Sequence, residues 1–571
     1  MPKLGARKKS RALVADDAVE AKVSWRSRIP AVSAGDVVVI VVDADQTRTV
    51  PSLVELFPAA DLHVVFPGPD VPRPDVPGVT WHSAPGNDSL ARLLESIGTM
   101  DVFVYLRRVR VEAALATWGR SYLHVADGGT LILASINGTG PAALKALERL
   151  ATIRDGEIDG LFREETEAAR STSEMTSTPD GIVFTKRGSH QLKVGEARAD
   201  EVLPIRLPGV TVNELSRLPA VAFTARNGAV VSHRSTSGQP VLPAEYSVPA
   251  LPLRQYEAAV TLGASLLSVI GHTLLPGSFR SPFKKEVIPE SGRNPTPTFA
   301  VVDPMTPRRL PGVYYDLRAT SPERIGSVMT DTVGKLWGWD EAKRRLPELK
   351  AIYRLPAGAD PDGIESEILT AWGIEPVDVE WVHDDVEVEG LVSATTMWQQ
   401  DYPHYAHPEL RDVWSRIRTA LGPPVDPKAP AKVFITRGRE LDERRCRNAD
   451  EVEQHFAASG FTVVDPASMT LAERTAVLGR AEVVAGFAGV GLFDVALAAD
   501  PRAVVILGQE SYPAKEEQMF GLLSGAEVHV FWSAADKPRA EGKYDPEAMQ
   551  SAWEFDFARN RGDLDQLLST L

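Results

Sequence analysis

The chain has 571 residues, 43% of them hydrophobic and 24% charged, enough apolar material for about two to four cored domains, which excludes a disordered class. Its net charge of −15 excludes broad nucleic-acid binding, which needs a dense basic surface, but allows a local basic site. The single cysteine, Cys446, excludes an intrachain disulfide framework and a cysteine metal cluster, and fits a reducing, cytoplasmic compartment.

Residues 1–30 are charged and irregular and read as a loose tail. Their basic residues have no apolar segment behind them, so no secretory signal is expected. No window has the apolar length of a membrane helix; Tyr256–Leu275 is nearest and contains Glu257 and His272.

Residues 31–204 form the first expected domain. Apolar strands are predicted at Val37–Val42, Leu62–Phe66, Asp101–Tyr105 and Thr130–Ala134, with helices near Pro51–Phe57 and Ala113–His124 between them. This alternation implies a parallel, doubly wound sheet. Glu164–Ser171 reads as helical, and Gly181–Thr185 and Gln191–Val194 as short strands. The turn Asp127-Gly128-Gly129 before a strand resembles a methyltransferase-like domain. Yet Val42 is followed by Asp43-Ala44-Asp45-Gln46-Thr47, without the glycines that let backbone approach a cofactor. A degenerate Rossmann-like domain is expected, with a working methyltransferase as the alternative.

A boundary is expected at Leu207-Pro208-Gly209, and residues 205–421 form the next segment. Ala220–His233 reads as a hairpin turning at Arg226-Asn227-Gly228. Further on come the strand Val313–Leu317, a helix at Pro322–Leu336, a helix near Asp340–Arg345, the strand Leu349–Leu355, a helix at Gly363–Trp372 and the strand Val377–Trp381. The Pro-rich connector at 422–427 then stiffens the link to the last segment, 422–571.

That segment is the most informative. Its strands are predicted at Lys432–Thr436, 460–464, Glu482–Ala485 and Ala503–Leu507, with helices at 450–459 and 470–480. Arg437 and Arg439 follow the first strand, where open α/β sheets place their ligands; arginine forks onto phosphate oxygens and stays charged. A solvated surface loop would carry the same residues. Gly489 and Gly491 lie in the loop after a later strand and could turn backbone N–H groups toward an anion; helix-packing glycines explain them equally well. Glu510 sits where a ribose or base contact would fall, or is a simple loop carboxylate.

Ile435-Thr436-Arg437, the basic run Arg445 to Asn448, Gly460-Phe461, Ala481 to Gly486 and the loop Phe487-Ala488-Gly489-Val490-Gly491-Leu492-Phe493 together resemble glycosyltransferase family 61, the capsular polysaccharide biosynthesis type. The resemblance covers about the last 360 residues. It implies a GT-B-like pair of Rossmann-like lobes, here preceded by the additional N-terminal Rossmann-like domain. It also implies an inverting, metal-independent enzyme with a nucleotide-diphosphate sugar as donor and no separate cofactor. The acceptor would be the hydroxyl of a glycan or another molecule in surface-polysaccharide synthesis, and peripheral membrane or polysaccharide-assembly partners would follow.

Three departures stand out: Ala449 follows Asn448 where the family has glutamate, and Phe487 and Ser327 occupy positions where the family has histidines. Asp331 retains the family's acidic residue, and on a helix it shares a face with Ser327. That makes Asp331 the candidate base, with a capping or surface carboxylate as the plain alternative. His404 and His407 lack the further donors a metal site needs. A catalytically decayed binding or scaffold protein is the remaining rival, and retention of Arg437, Gly489, Gly491 and Asp331 speaks for transfer.

Overall fold

In the computed structural model the first apolar run is the strand Val37–Val41 (β1). Asp61–Phe66 (β2), Val79–Ser83 (β3), Met100–Tyr105 (β4), Val125–Leu133 (β5), Thr172–Thr178 (β6) and Gly181–Lys186 (β7) join it in one sheet ordered β3-β2-β1-β4-β5-β7-β6. The structure describes residues 24–236, 238, 241–287, 291–422, 428–437, 443–539 and 545–571.

β1 to β5 are parallel, and β7 runs antiparallel to both β5 and β6. The continuous apolar runs follow from burial on both faces: Val38, Ile40, Val64, Val102 and Val104 are all essentially inaccessible. β3 has no apolar run because it is a half-exposed edge strand, so its sequence gave no signal. The tail also departs from expectation. From residue 24 it is anchored: Trp25 is buried, and Asp180 accepts from its backbone N–H and from the Ser24 hydroxyl.

The chain divides into two units. The first comprises Met1–Val210 with Val269–Pro276 and Lys285–Pro304. Beside the large sheet, it pairs Gln191–Lys193 with Thr273–Leu274 and with Phe299–Val302.

The second unit comprises Thr211–Ser268, Gly277–Lys284 and Met305–Leu571. One of its sheets is mixed. Val386–Ala394 runs parallel to Arg308–Asp316, which continues in parallel to Lys350–Arg354 and Val379–Val382. On its other side Val386–Ala394 is antiparallel to Leu251–Glu257, which pairs with Thr211–Leu218.

The other sheet is wholly parallel, in the order Val231–His233, Glu527–Ser533, Ala503–Gln509, Val483–Phe487, Lys432–Ile435, Thr462–Val464. Its strand order reverses between Lys432–Ile435 and Val483–Phe487, which places a topological switch point at their carboxyl ends.

Two expectations need correction. The hairpin at Ala220–His233 does not form. Val221–Thr224 pairs with Glu245–Val248, whereas Val231–His233 joins the edge of the parallel sheet. The Asn-Gly turn sends the chain across instead of back, because Asn227 donates to the Gly525 carbonyl and Arg226 pairs with Asp500.

Nor is Pro322–Leu336 a regular helix. It is a turn at Ile325–Ser327, a π-helical turn at Val328–Thr332 and a 3-10 stretch at Val333–Gly338. Threonine and valine crowd this run, and the Thr330 hydroxyl donates back to the Gly326 carbonyl.

Candidate functional site

The switch point is built by two loops of the second unit. Arg437 leaves Lys432–Ile435, and its Nη1 donates to the Ala488 carbonyl at 3.2 Å, at the end of Val483–Phe487. Gly489 follows with φ +154°, a conformation that side chains rarely adopt. A 3-10 stretch, Val490–Leu497, begins directly after it and contains Gly491. Arg439 lies outside the described residues.

A second arginine converges here that the sequence reading passed over. Arg444 takes a positive φ of 53°, is held by Gln550 through its backbone and Nη1, and lies over the Tyr512 ring at 4.3 Å. The Nε groups of both Arg437 and Arg444 are buried without a hydrogen-bond partner among the described residues. Burial and the neighbouring Arg444 push the Arg437 guanidinium down to about 10. Two half-buried cations with unused, buried Nε donors form a site suited to an anion. By contrast, Arg445 is exposed, and Arg447 is paired with Asp536 and Glu554 at the surface.

Next to the arginines stands the helix Lys515–Ser524. Glu517 accepts from the Tyr512 hydroxyl at 2.9 Å, and burial raises its carboxyl above the ordinary range. Glu516 faces Arg280, whose Nη2 donates to Glu516 Oε1 at 2.9 Å. The Nε of the same arginine lies 3.4 Å from Asp331 Oδ1. With its amide oriented to fit, Gln400 accepts from Arg280 Nη1 at 2.8 Å and donates to Glu516 Oε1. Arg280 therefore bridges two carboxylates, one from the π-helical turn and one from the helix at 515–524.

Asp331 is tightly held. Its Oδ2 accepts from the Thr320 N–H at 2.9 Å and its Oδ1 from the Thr330 hydroxyl at 3.0 Å. Ser327 is buried one turn earlier. Phe487 packs edge-on against Phe434, with Trp553 beyond, and is part of the core. Glu510 accepts from Arg559 and from the Thr236 N–H and hydroxyl, and these contacts tie two segments together. Burial pushes the Cys446 thiol up to about 11, in keeping with an inert side chain.

In the first unit the switch point between β1 and β4 is occupied by the chain itself. Arg107, 7% exposed, donates to the Ala84 and Val42 carbonyls. Gln46 bridges the Asp43 N–H and the Leu106 carbonyl, and Asp43 accepts from the Arg108 N–H. Among the described residues no three His, Cys, Asp or Glu side chains gather as a metal-ligand set, and no helix is long and apolar enough to cross a membrane.

No curated protein matches this chain. Among solved structures, similarity is found to the MycE methyltransferase of the mycinamycin biosynthetic pathway in complex with Mg and SAH. In one crystal form the identity is 11% and the TM-score 0.23, over 27% of this chain and 46% of that one. A second crystal form gives 14% identity and a TM-score of 0.22, over 28% and 46%. The alignments thus span less than half the length of that enzyme. Residues 289–506, less than half of the chain but including Asp331, Arg437, Gly489 and Gly491, match the family model Glycosyltransferase 61, the same family that the sequence resembles.

Proposed function

We propose that the second unit transfers a sugar from a nucleotide-diphosphate donor to a hydroxyl acceptor during synthesis of a surface polysaccharide or glycoconjugate. The carrying observation is the pair of neighbouring, half-buried arginines Arg437 and Arg444, the first of them against Gly489, with unpartnered Nε donors. Such donors, aimed at a leaving diphosphate, stabilise the charge that develops on it. Arg439, Gly491 and Glu510 remain donor-site candidates from the sequence; the contacts of Glu510 favour a bracing role. In this reading residues 205–421 and 422–571 are the two lobes of a GT-B-like module, the reaction inverts without a metal, and the protein works in the cytoplasm. The acceptor hydroxyl loses its proton to a carboxylate on Arg280, either Asp331 or Glu516.

The test is thermal stabilisation of the full chain by a panel of nucleotide sugars and nucleoside diphosphates. A ligand at 100 times its Kd raises stability by about 2.7 kcal/mol. A panel without any response would reject the donor site.

A further inference from the structure

We propose that Glu516 receives the proton of the acceptor hydroxyl, and that Asp331 acts as the positioning residue that holds Arg280 for it. This rests on the transferase reading and adds to it the division of labour between the two carboxylates. Three observations separate them.

The first is occupancy. Asp331 already accepts from a backbone N–H and a hydroxyl, and is ion-paired with Arg280. Glu516 has Oε1 fixed by Arg280 and Gln400, and Oε2 takes no partner among the described residues. A proton acceptor needs such a free, oriented oxygen.

The second is access. The Asp331 side chain is 6% exposed and that of Glu516 20%. Both Asp331 oxygens are engaged, Oδ2 by the Thr320 N–H and Oδ1 by the Thr330 hydroxyl.

The third is the electrostatic setting. Burial pushes the Glu516 carboxyl up to about 7; Arg280 opposes this, and Glu517 and Asp331 add to it. The same carboxylate bears on Tyr512, whose ring carries Arg444, so it neighbours the anion site. A base is most useful when its pKa lies near the working pH.

The step balances. The acceptor oxygen bonds to the anomeric carbon while its proton passes to Glu516 Oε2. The bond from that carbon to the diphosphate oxygen breaks, and its electron pair leaves with the diphosphate.

The experiment compares the full-length wild type with Glu516→Gln and Asp331→Asn. Pyrophosphate affinity is measured by calorimetry, and release of nucleoside diphosphate from a nucleotide-sugar panel is followed between pH 5 and pH 9, an experimental range of about two units either side of neutrality. In the wild type, turnover rises with pH through about 7, because the base must be unprotonated. Glu516→Gln should lower turnover about 100-fold or more and erase this rise, with pyrophosphate affinity kept. Asp331→Asn should lower turnover but keep the rise.

A Glu516→Gln enzyme with normal turnover, or an Asp331→Asn enzyme that alone loses the pH limb, overturns the inference and leaves the transferase reading standing. A wild type that neither binds pyrophosphate nor turns over any nucleotide sugar removes that reading, and the inference with it. If Glu516→Gln does not melt cooperatively, Glu516→Asp replaces it. That variant keeps the charge on Arg280 and withdraws the oxygen by one methylene, so reduced turnover at unchanged affinity supports the assignment and full turnover refutes it.

Discussion

Arg437 lies so close to Gly489 that a β-carbon on the glycine would collide with its Nη1. The glycine thus has two reasons to be there: its own backbone angle and the space its neighbour occupies.

Gly489→Ala should therefore cost both stability and ligand. A strained φ is worth about 1–3 kcal/mol, and the displaced guanidinium should weaken pyrophosphate binding. Gly491→Ala is the control, since its nearest obstacle is an Ile435 methyl at 3.2 Å that can shift. Melting curves and calorimetry on both variants decide the matter; equal behaviour would discard the role given to Gly489.

Arg437→Ala and Arg444→Ala should each weaken pyrophosphate and nucleoside-diphosphate binding by about 1.5–3 kcal/mol, the scale of a charge-assisted contact. Cooperative melting should persist in both. Arg447→Ala, with its surface pairs to Asp536 and Glu554, should leave affinity unchanged. Titration of the three variants against the wild type tests this, and an unaffected Arg437→Ala would remove that residue from the site.

The parts of the site legible in the sequence were those attached to regular elements. Ile435 to Arg437 and the glycine loop could be placed because buried parallel strands write themselves as apolar runs and their loops follow at once. Arg444 was hidden in a basic run, where its distinguishing features, a positive φ and a backbone hydrogen bond to Gln550, have no sequence signature. Lys515-Glu516-Glu517 reads as an ordinary acidic helix start, and only tertiary contact with Arg280 makes Glu516 special. The hairpin expectation failed for a related reason: Asn-Gly specifies a turn, but the strand that follows it pairs with residues about 300 positions away, beyond the reach of local reasoning.

The first unit should not bind S-adenosylmethionine. Arg107 and Gln46 fill the crevice between β1 and β4 and use the backbone groups a cofactor would need. No glycine follows Val42 to let the chain make way. Calorimetry on the full chain should show no heat of binding; micromolar affinity would revive the methyltransferase alternative.

Asp494 offers a test of stability against pH. It is 1% exposed, both its carboxylate oxygens lack a hydrogen-bond partner among the described residues, and Arg474 Nη1 is 3.6 Å away. Burial pushes its carboxyl up to about 7. The folded state therefore holds a proton that the unfolded chain releases from about pH 4 upward. This group costs stability progressively between about pH 4 and pH 7, and the loss levels off above that. Asp494→Asn is free of this effect, so its melting temperature relative to the wild type should climb across that window. Parallel curves for the two proteins would show that Asp494 titrates normally.

The segments Val269–Pro276 and Lys285–Pro304 belong to the first unit although they are embedded in the sequence of the second. The chain consequently passes from one unit to the other five times. A protease that nicks the chain between residues 210 and 211 would leave parts of the first unit on both fragments. A gene truncated at residue 205 would keep Thr273–Leu274 and Phe299–Val302 but lose Gln191–Lys193, their shared partner strand. Such interleaving means that no single cut in the gene separates the two units.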